Sequence, residues 1–173
     1  MSADHTTRDL TTRVLVVLAA AFALGAALKG HLHHVTPVKI GERLPALELE
    51  ELDGSSAQLA PADGITIYNV FATWCVPCQR ETPRFAQLAE RLQARGVRVV
   101  GIDQGEPPER VRAFKQSFGL DYPVFIDDDH LTNALLGARV IPETVVTRNG
   151  VLSSVYVGPL DSQAFQALKG VHG

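Results

Sequence analysis

The sequence predicts an α/β fold, a mixed central sheet with helices on both faces, preceded by a single N-terminal transmembrane helix. Three observations carry that reading. Residues 65–71 (ITIYNVF) and 97–103 (VRVVGID) are nearly continuous apolar or β-favouring runs, the pattern of strands covered on both faces. Each is followed by apolar residues at helical spacing, and strand-helix-strand units force parallel neighbours with right-handed crossovers. A closing hairpin around Asn149-Gly150 adds antiparallel strands, which makes the sheet mixed.

The bulk numbers agree. A chain of 173 residues is one ordinary domain plus an appendage. With 46% hydrophobic and 20% charged residues the chain is globular rather than disordered. A net charge of −3 and scattered basic residues argue against a nucleic-acid surface.

Residues 1–13 are polar and read as a cytoplasmic tail. Residues 14–28 form an unbroken apolar run closed by Lys29. Its length is about 22 Å, short of a hydrocarbon core of about 30 Å. Arg13 and Lys29 can snorkel from the two ends, and residues 10–12 extend the tolerable segment, so 14–29 reads as a retained anchor. The alternative is a cleaved signal using Ala21-Phe22-Ala23. Flanking charges are nearly balanced, and a first helix with a short basic tail leaves its N-terminus in the cytoplasm. The rest of the chain is then extracytoplasmic, on the periplasmic side of an inner membrane.

Residues 30–40 read as a linker, and its His31, His33 and His34 lack an accompanying ligand cluster. The folded domain runs over 41–173. Residues 47–52 and 55–59 around Asp53-Gly54 predict a small hairpin. After the first buried strand, Phe85, Leu88, Ala89 and Leu92 predict a helix ended by Gly96 and kinked by Pro83. Pro107-Pro108 opens a second helix with Val111, Phe114 and Phe118 as its apolar stripe. Residues 122–126 are a short third run. Asp127-Asp128-Asp129 then reads as a turn and N-cap rather than a cation loop, leading into a brief helix over 131–136. The hairpin of 144–148 and 152–157 and a helix over 161–169 close the chain.

The only two cysteines, Cys75 and Cys78, fall between the first buried strand and the first helix. At i and i+3 on a first helical turn they lie on one face, within reach of a disulfide. The helix N-terminus favours a thiolate there. A zinc site lacks two further ligands, and a c-type haem would need His where Gln79 stands. A structural disulfide closing so small a loop would stabilise little. A copper site built from both thiolates stays open as an alternative. A dithiol/disulfide redox centre needs only the strand, the pair and the helix, and is the preferred reading. It calls for no metal and no cofactor.

The run 69–83, Asn-Val-Phe-Ala-Thr-Trp-Cys-Val-Pro-Cys-Gln-Arg-Glu-Thr-Pro, resembles the active site of the thioredoxin superfamily. It is most similar to the membrane-tethered, extracytoplasmic TlpA/ResA/CcmG-like branch, and the similarity covers about 41–170 with Val140-Ile141-Pro142-Glu143-Thr144 also matching. The resemblance implies a thioredoxin-like domain in which Cys75 attacks and Cys78 resolves. It also implies that Trp74 covers one side of the pair and Pro77 shapes the turn. Pro142 aligns with a cis-proline that, with Ile141 and Glu143, helps hold an extended substrate strand. Glu81, three past Cys78, is the candidate proton acceptor, because Asn69 cannot titrate where thioredoxin proper has an aspartate. An exposed glutamate paired with Arg80 or Arg84 is the plainer alternative for Glu81, and a solvent-facing side chain for Glu143. Val140 and Glu143 depart from the usual residues of different subgroups, so the motif assigns no single partner.

Val76-Pro77 offers neither a charge nor a side-chain donor between the cysteines, which argues against a strong oxidant. The expected activity is therefore protein disulfide reduction. The implied partners are an extracytoplasmic protein disulfide, of the cytochrome c biogenesis or copper-site maturation type, and a membrane-embedded thiol electron donor. The alternatives are a disulfide oxidase or isomerase on the same scaffold, and a copper-binding chaperone using the thiolates.

Overall fold

The computed structural model describes residues 37–128, 135–136 and 140–172. The expected tail, the 14–29 span, linker residues 30–36 and all but the last two residues of the 131–136 helix lie outside the described residues. Among the described residues no helix is long and apolar enough to cross a membrane.

Among the described residues, seven strands and three complete helices follow in the order β1 (Leu47–Glu51), β2 (Ser56–Leu59), β3 (Ile65–Phe71), α1 (Val76–Gln93), β4 (Arg98–Asp103), α2 (Pro108–Ser117), β5 (Val124–Ile126), β6 (Glu143–Arg148), β7 (Val151–Val157) and α3 (Ser162–Lys169). They build one sheet in the order β2-β1-β5-β4-β3-β6-β7. The segments β3, β4 and β5 pair in parallel, while β1, β2, β6 and β7 enter antiparallel. The expected mixed sheet is therefore present. Every residue of β3 is buried, as its unbroken apolar run requires of a central strand.

Side-chain alternation divides the core in two. Ile65, Ile67 and Phe71 of β3, Val99 of β4 and Val146 of β6 join Phe85, Leu88, Val111, Phe114, Phe165 and Leu168 of the helices. Tyr68, Val70, Val100, Ile102 and Val145 point the other way, towards Leu44 and Leu136. All three complete helices thus cover one face. The helical Leu135 and Leu136 pack into the core of the other face, so helical residues stand on both faces of the sheet, as expected. Strand order puts α1 and α2 together: β3, β4 and β5 step across the sheet in one direction, and two right-handed crossovers in one direction lie on one side.

Turn chemistry fixes the edges as the sequence reading required. Asn149 and Gly150 both take positive φ, the requirement of a tight hairpin turn of this type. The α1 helix ends before Gly96, which sits at a φ of 80° that a side chain would disfavour. Pro83 does lie within α1, and its missing N–H leaves the Gln79 carbonyl without its usual donor.

Candidate active site

The strand β3 runs straight into the cysteine pair at the carboxyl edge of the parallel strands, where open α/β sheets place their sites. Cys75 and Cys78 are joined as a disulfide. Cys75 is the N-cap of α1 rather than a residue of its first turn. Its extended backbone lets Sγ accept the Cys78 N–H at 3.2 Å, while its carbonyl takes the Gln79 N–H at 3.0 Å. A thiolate on Cys75 would inherit that donor and the positive end of the helix dipole. Cys78 is buried beneath it, and Thr82 Oγ1 bonds the Cys78 carbonyl at 2.7 Å.

Across from the pair, the Ile141–Pro142 peptide is cis, as the resemblance implied. Cys75 Sγ lies 3.8 Å from the Ile141 carbonyl oxygen, which brings Ile141 and Pro142 to the sulfur. Trp74 is 63% exposed, and Val76, Val140 and Val157 are exposed as well. The Gly158 N–H bonds the Pro142 carbonyl at 2.9 Å, so Val157 stands beside the proline segment. Pro77 borders a groove of about 370 Å³ together with Glu81, Leu160 and Phe165.

Glu81 is 8% exposed, which overturns the alternative of a solvent-facing helix glutamate. Its Oε2 accepts the Leu160 N–H at 2.5 Å. Burial raises its pKa above the usual carboxyl value, while hydrogen bonds from Leu160 and the Asn69 side chain and the charge of Arg84 pull the other way. Asn69 Nδ2 also reaches Thr144 Oγ1 at 3.5 Å, linking Glu81 to the strand that carries the cis-proline.

Glu143 is 1% exposed, so it too does not face solvent. It pairs with Val70 and Val157 on the side of the sheet away from α1, and its Oε1 has no hydrogen-bond partner. Burial alone pushes its pKa up from 4.5 to about 7. The folded state then holds a proton that the unfolded chain releases near its ordinary value. Stability contributed by this group is complete below about 4.5 and is lost as pH rises through about 7, by at most about 1.4 kcal/mol per pH unit. Glu143→Gln is expected to flatten that fall. Urea unfolding between about pH 5 and pH 8 checks it, Glu81 and Asp103 supplying the remaining slope.

Sequence reasoning missed a second pair of carboxylates. Asp103 closes β4 directly opposite Phe71, and its Oδ1 accepts the Glu106 N–H at 2.8 Å. Glu106 in turn accepts both the N–H and the hydroxyl of Thr73, the latter at 2.7 Å, and lies 3.6 Å from Arg110 Nη1. Gln79 Nε2 holds the Thr73 carbonyl at 2.6 Å. Every polar group of Thr73, two residues before Cys75, is therefore fixed. Asp103 Oδ2 is buried without a partner, and burial, with the neighbouring Glu106 carboxylate adding, raises the Asp103 pKa. The available signal was topological: Asp103 ends a strand parallel to β3, so the residues after it must flank the cysteine loop. Glu106→Ala is expected to cost about 2 kcal/mol and Thr73→Val about 1 kcal/mol, read as lower urea midpoints at unchanged slope.

Comparison with known proteins agrees with this geometry. The AhpC/TSA family matches over residues 40–154. The thiol-disulfide oxidoreductase ResA of Geobacillus thermodenitrificans is 30% identical over 158 residues, covering 89% of this chain and 90% of its own. ResA of Geobacillus kaustophilus is 28% identical over 156 residues, with 89% of each covered. Among solved structures, a thiol:disulfide interchange protein of the thioredoxin family from Chlorobium tepidum TLS superposes with a TM-score of 0.64. It shows 29% identity and covers 76% of this chain and 95% of its own. A family match over most of the folded domain, together with relatives covered over about nine-tenths of their length and named thiol-disulfide oxidoreductases, makes this chain, with its Cys75–Cys78 pair on the thioredoxin fold, a member of the AhpC/TSA family and a thiol–disulfide oxidoreductase.

Proposed function

We propose that the protein is a disulfide reductase for another extracytoplasmic protein, held at the membrane by residues 14–29 and re-reduced by a membrane-embedded thiol donor. The supporting observation for a protein substrate is the exposed apolar rim beside Cys75, with the Ile141 carbonyl 3.8 Å from its sulfur. An extended substrate strand laid along Ile141-Pro142 would bring its own sulfur to Cys75. Substrates of the cytochrome c or copper-site maturation type fit the resemblance of the 69–83 run.

In the proposed cycle the Cys75 thiolate attacks one sulfur of the substrate disulfide. A mixed disulfide forms, and the other substrate sulfur leaves as a thiolate that takes a proton from solvent. Cys78 then gives its proton to the Glu81 carboxylate and attacks Cys75 Sγ. The second substrate thiolate is expelled and protonated. Two electrons pass from the Cys75/Cys78 dithiol to the substrate, which gains two protons, and the protein is left as the disulfide. Ile141 and Pro142 shape the surface on which the substrate lies, while Glu143, buried on the other side of the sheet, does not reach it.

Direction follows from the dipeptide between the cysteines. A strong oxidant keeps a specially stabilised thiolate, and Val76-Pro77 adds no charge or donor towards that end. Equilibration with a glutathione or dithiothreitol buffer, read by thiol alkylation, measures the potential. A value at or below about −200 mV is expected, whereas one near the strong oxidant's, about −120 mV, would make the protein an oxidase.

A further inference from the structure

The outer face of α1 carries a run of arginines that the exchange chemistry does not use. Arg80, Arg84 and Arg91 fall within an arc of roughly 40° on the helix, starting just over one turn beyond Cys75, and Arg95 follows just past its C-cap. Arg95 Nη1 donates to the Lys169 carbonyl at 2.6 Å, which ties the far end of this stripe to α3 and brings Lys169 into line with it. The Arg84 guanidinium lies 3.8 Å above the Phe165 ring. Two grooves meet at Arg84 and Phe165. The 370 Å³ groove leads to Pro77 and Arg80, and a second, of about 140 Å³, is edged by Arg91 and Lys169.

This concentration of cations stands out in a chain of net charge −3. Like charges at i and i+4 disfavour a helix by a few tenths of a kcal/mol, so nothing in the helix itself calls for the pair Arg80 and Arg84. Among the described residues, no carboxylate lies within ion-pair distance of Arg80, Arg84 or Arg91, although the charge of Arg84 acts on the buried Glu81. Other nearby carboxylates are engaged or turned away. Asp161 caps α3 through the Ala164 N–H at 2.7 Å, and Glu90 lies about 100° round the helix from Arg91. Leu160 and Phe165 line the groove beside Glu81 and can seat the stem of an acidic side chain while its head meets a guanidinium.

We propose that this basic stripe receives an acidic segment of the protein whose disulfide Cys75 exchanges, and thereby selects that partner. The inference rests on the thiol–disulfide exchange with a protein substrate described above, but not on its direction. The geometry sets the position of the acid. Arg80 is five residues and Arg84 nine residues beyond Cys75, about 8 and 14 Å along the helix axis. At about 3.3 Å per residue an extended segment reaches them about two and four residues from its cysteine. Two grooves that share Arg84 and Phe165, the first reaching Pro77 between the cysteines, favour a peptide over a lipid surface, which would need the cations on a broad flat face.

The test uses the full chain and synthetic disulfide peptides that are identical except at those two positions, which carry Glu, Gln or Lys, placed before or after the cysteine in separate sets. Exchange rates are followed by stopped-flow Trp74 fluorescence, from reduced protein with oxidised peptide and in reverse. In one of the two placements the Glu peptide is expected to react about tenfold faster than the Gln peptide at about 20 mM salt, the ratio falling towards one at about 0.5 M. In the Arg80→Glu/Arg84→Glu protein the order is expected to reverse, with the Lys peptide fastest. Because each ratio is taken within one protein, a general loss of activity does not mimic it. Equal rates for Glu and Gln peptides in the unmodified protein would overturn the proposal, as would an acid preference that survives charge reversal. Stronger partitioning to phosphatidylglycerol than to phosphatidylcholine vesicles, lost on charge reversal while peptide rates stay equal, would assign the stripe to lipid instead. A failure of the reductase reading looks different: all peptides alike would equilibrate towards their disulfide forms.

Discussion

Cys78→Ala is expected to abolish turnover while leaving the first chemical step intact. The mixed disulfide then has no internal thiol to resolve it, and exchange should fall by about a hundredfold or more. The variant should hold a substrate peptide covalently through Cys75, visible as a mass increase that dithiothreitol reverses. Cys75→Ser should show no adduct, because the side chain at the helix N-cap, 3.8 Å from the Ile141 carbonyl, is then no longer a thiol. Both sulfurs are buried, Cys75 at 4% and Cys78 at 1%, so the asymmetry rests on the place of Cys75 at the helix N-cap beside the Ile141 carbonyl. A Cys78→Ala protein that cycles normally, or that merely loses a bound copper ion without forming an adduct, would leave the exchange mechanism without its resolving step.

Glu81→Gln carries the second large effect. General acid–base catalysis contributes about 10²–10⁴-fold, so resolution of the mixed disulfide should slow by about a hundredfold. Glutamine keeps the volume and can still accept the Leu160 N–H that Glu81 Oε2 accepts at 2.5 Å, so the fold should persist. The pH profile separates a proton-transfer role from a structural one. In the unmodified protein the carboxyl pKa is raised by burial, so resolution should quicken as pH rises past this elevated value and Glu81 loses its proton. In the glutamine variant that inflection should vanish, leaving only the rise due to ionisation of the Cys78 thiol itself. An unchanged profile would remove Glu81 from the proton path and make it a structural link between Asn69 and Leu160.

Much of the fold was readable because local patterns and tertiary demands coincide. The all-buried β3 has no polar face to mislead, and the Asp53-Gly54 and Asn149-Gly150 turns place their hairpins by backbone conformation alone. The Cys75–Cys78 pair was legible for the same reason, since its chemistry is carried by residue type and spacing, whereas Pro142 was placed only by the family resemblance. What was not legible depends on strand order. Helical spacing shows that Glu81 can approach the thiol face, yet its burial is decided by Leu160, 79 residues later in the chain. Glu143 reads equally well as solvent-facing until β7 pairs beside it and closes it off. The clamp of Glu106 on Thr73 requires β4 to lie beside β3, which no local pattern announces. That α1 and α2 share one face follows from the same order.

The most direct measurement mixes fully reduced protein with one equivalent of a disulfide-bonded peptide and follows both thiol pools by quench, alkylation and mass. If Cys75 and Cys78 form a reducing dithiol, peptide dithiol and the Cys75–Cys78 disulfide should appear one for one, passing through a transient Cys75 adduct. A peptide that stays oxidised while both protein cysteines remain as thiols would contradict it.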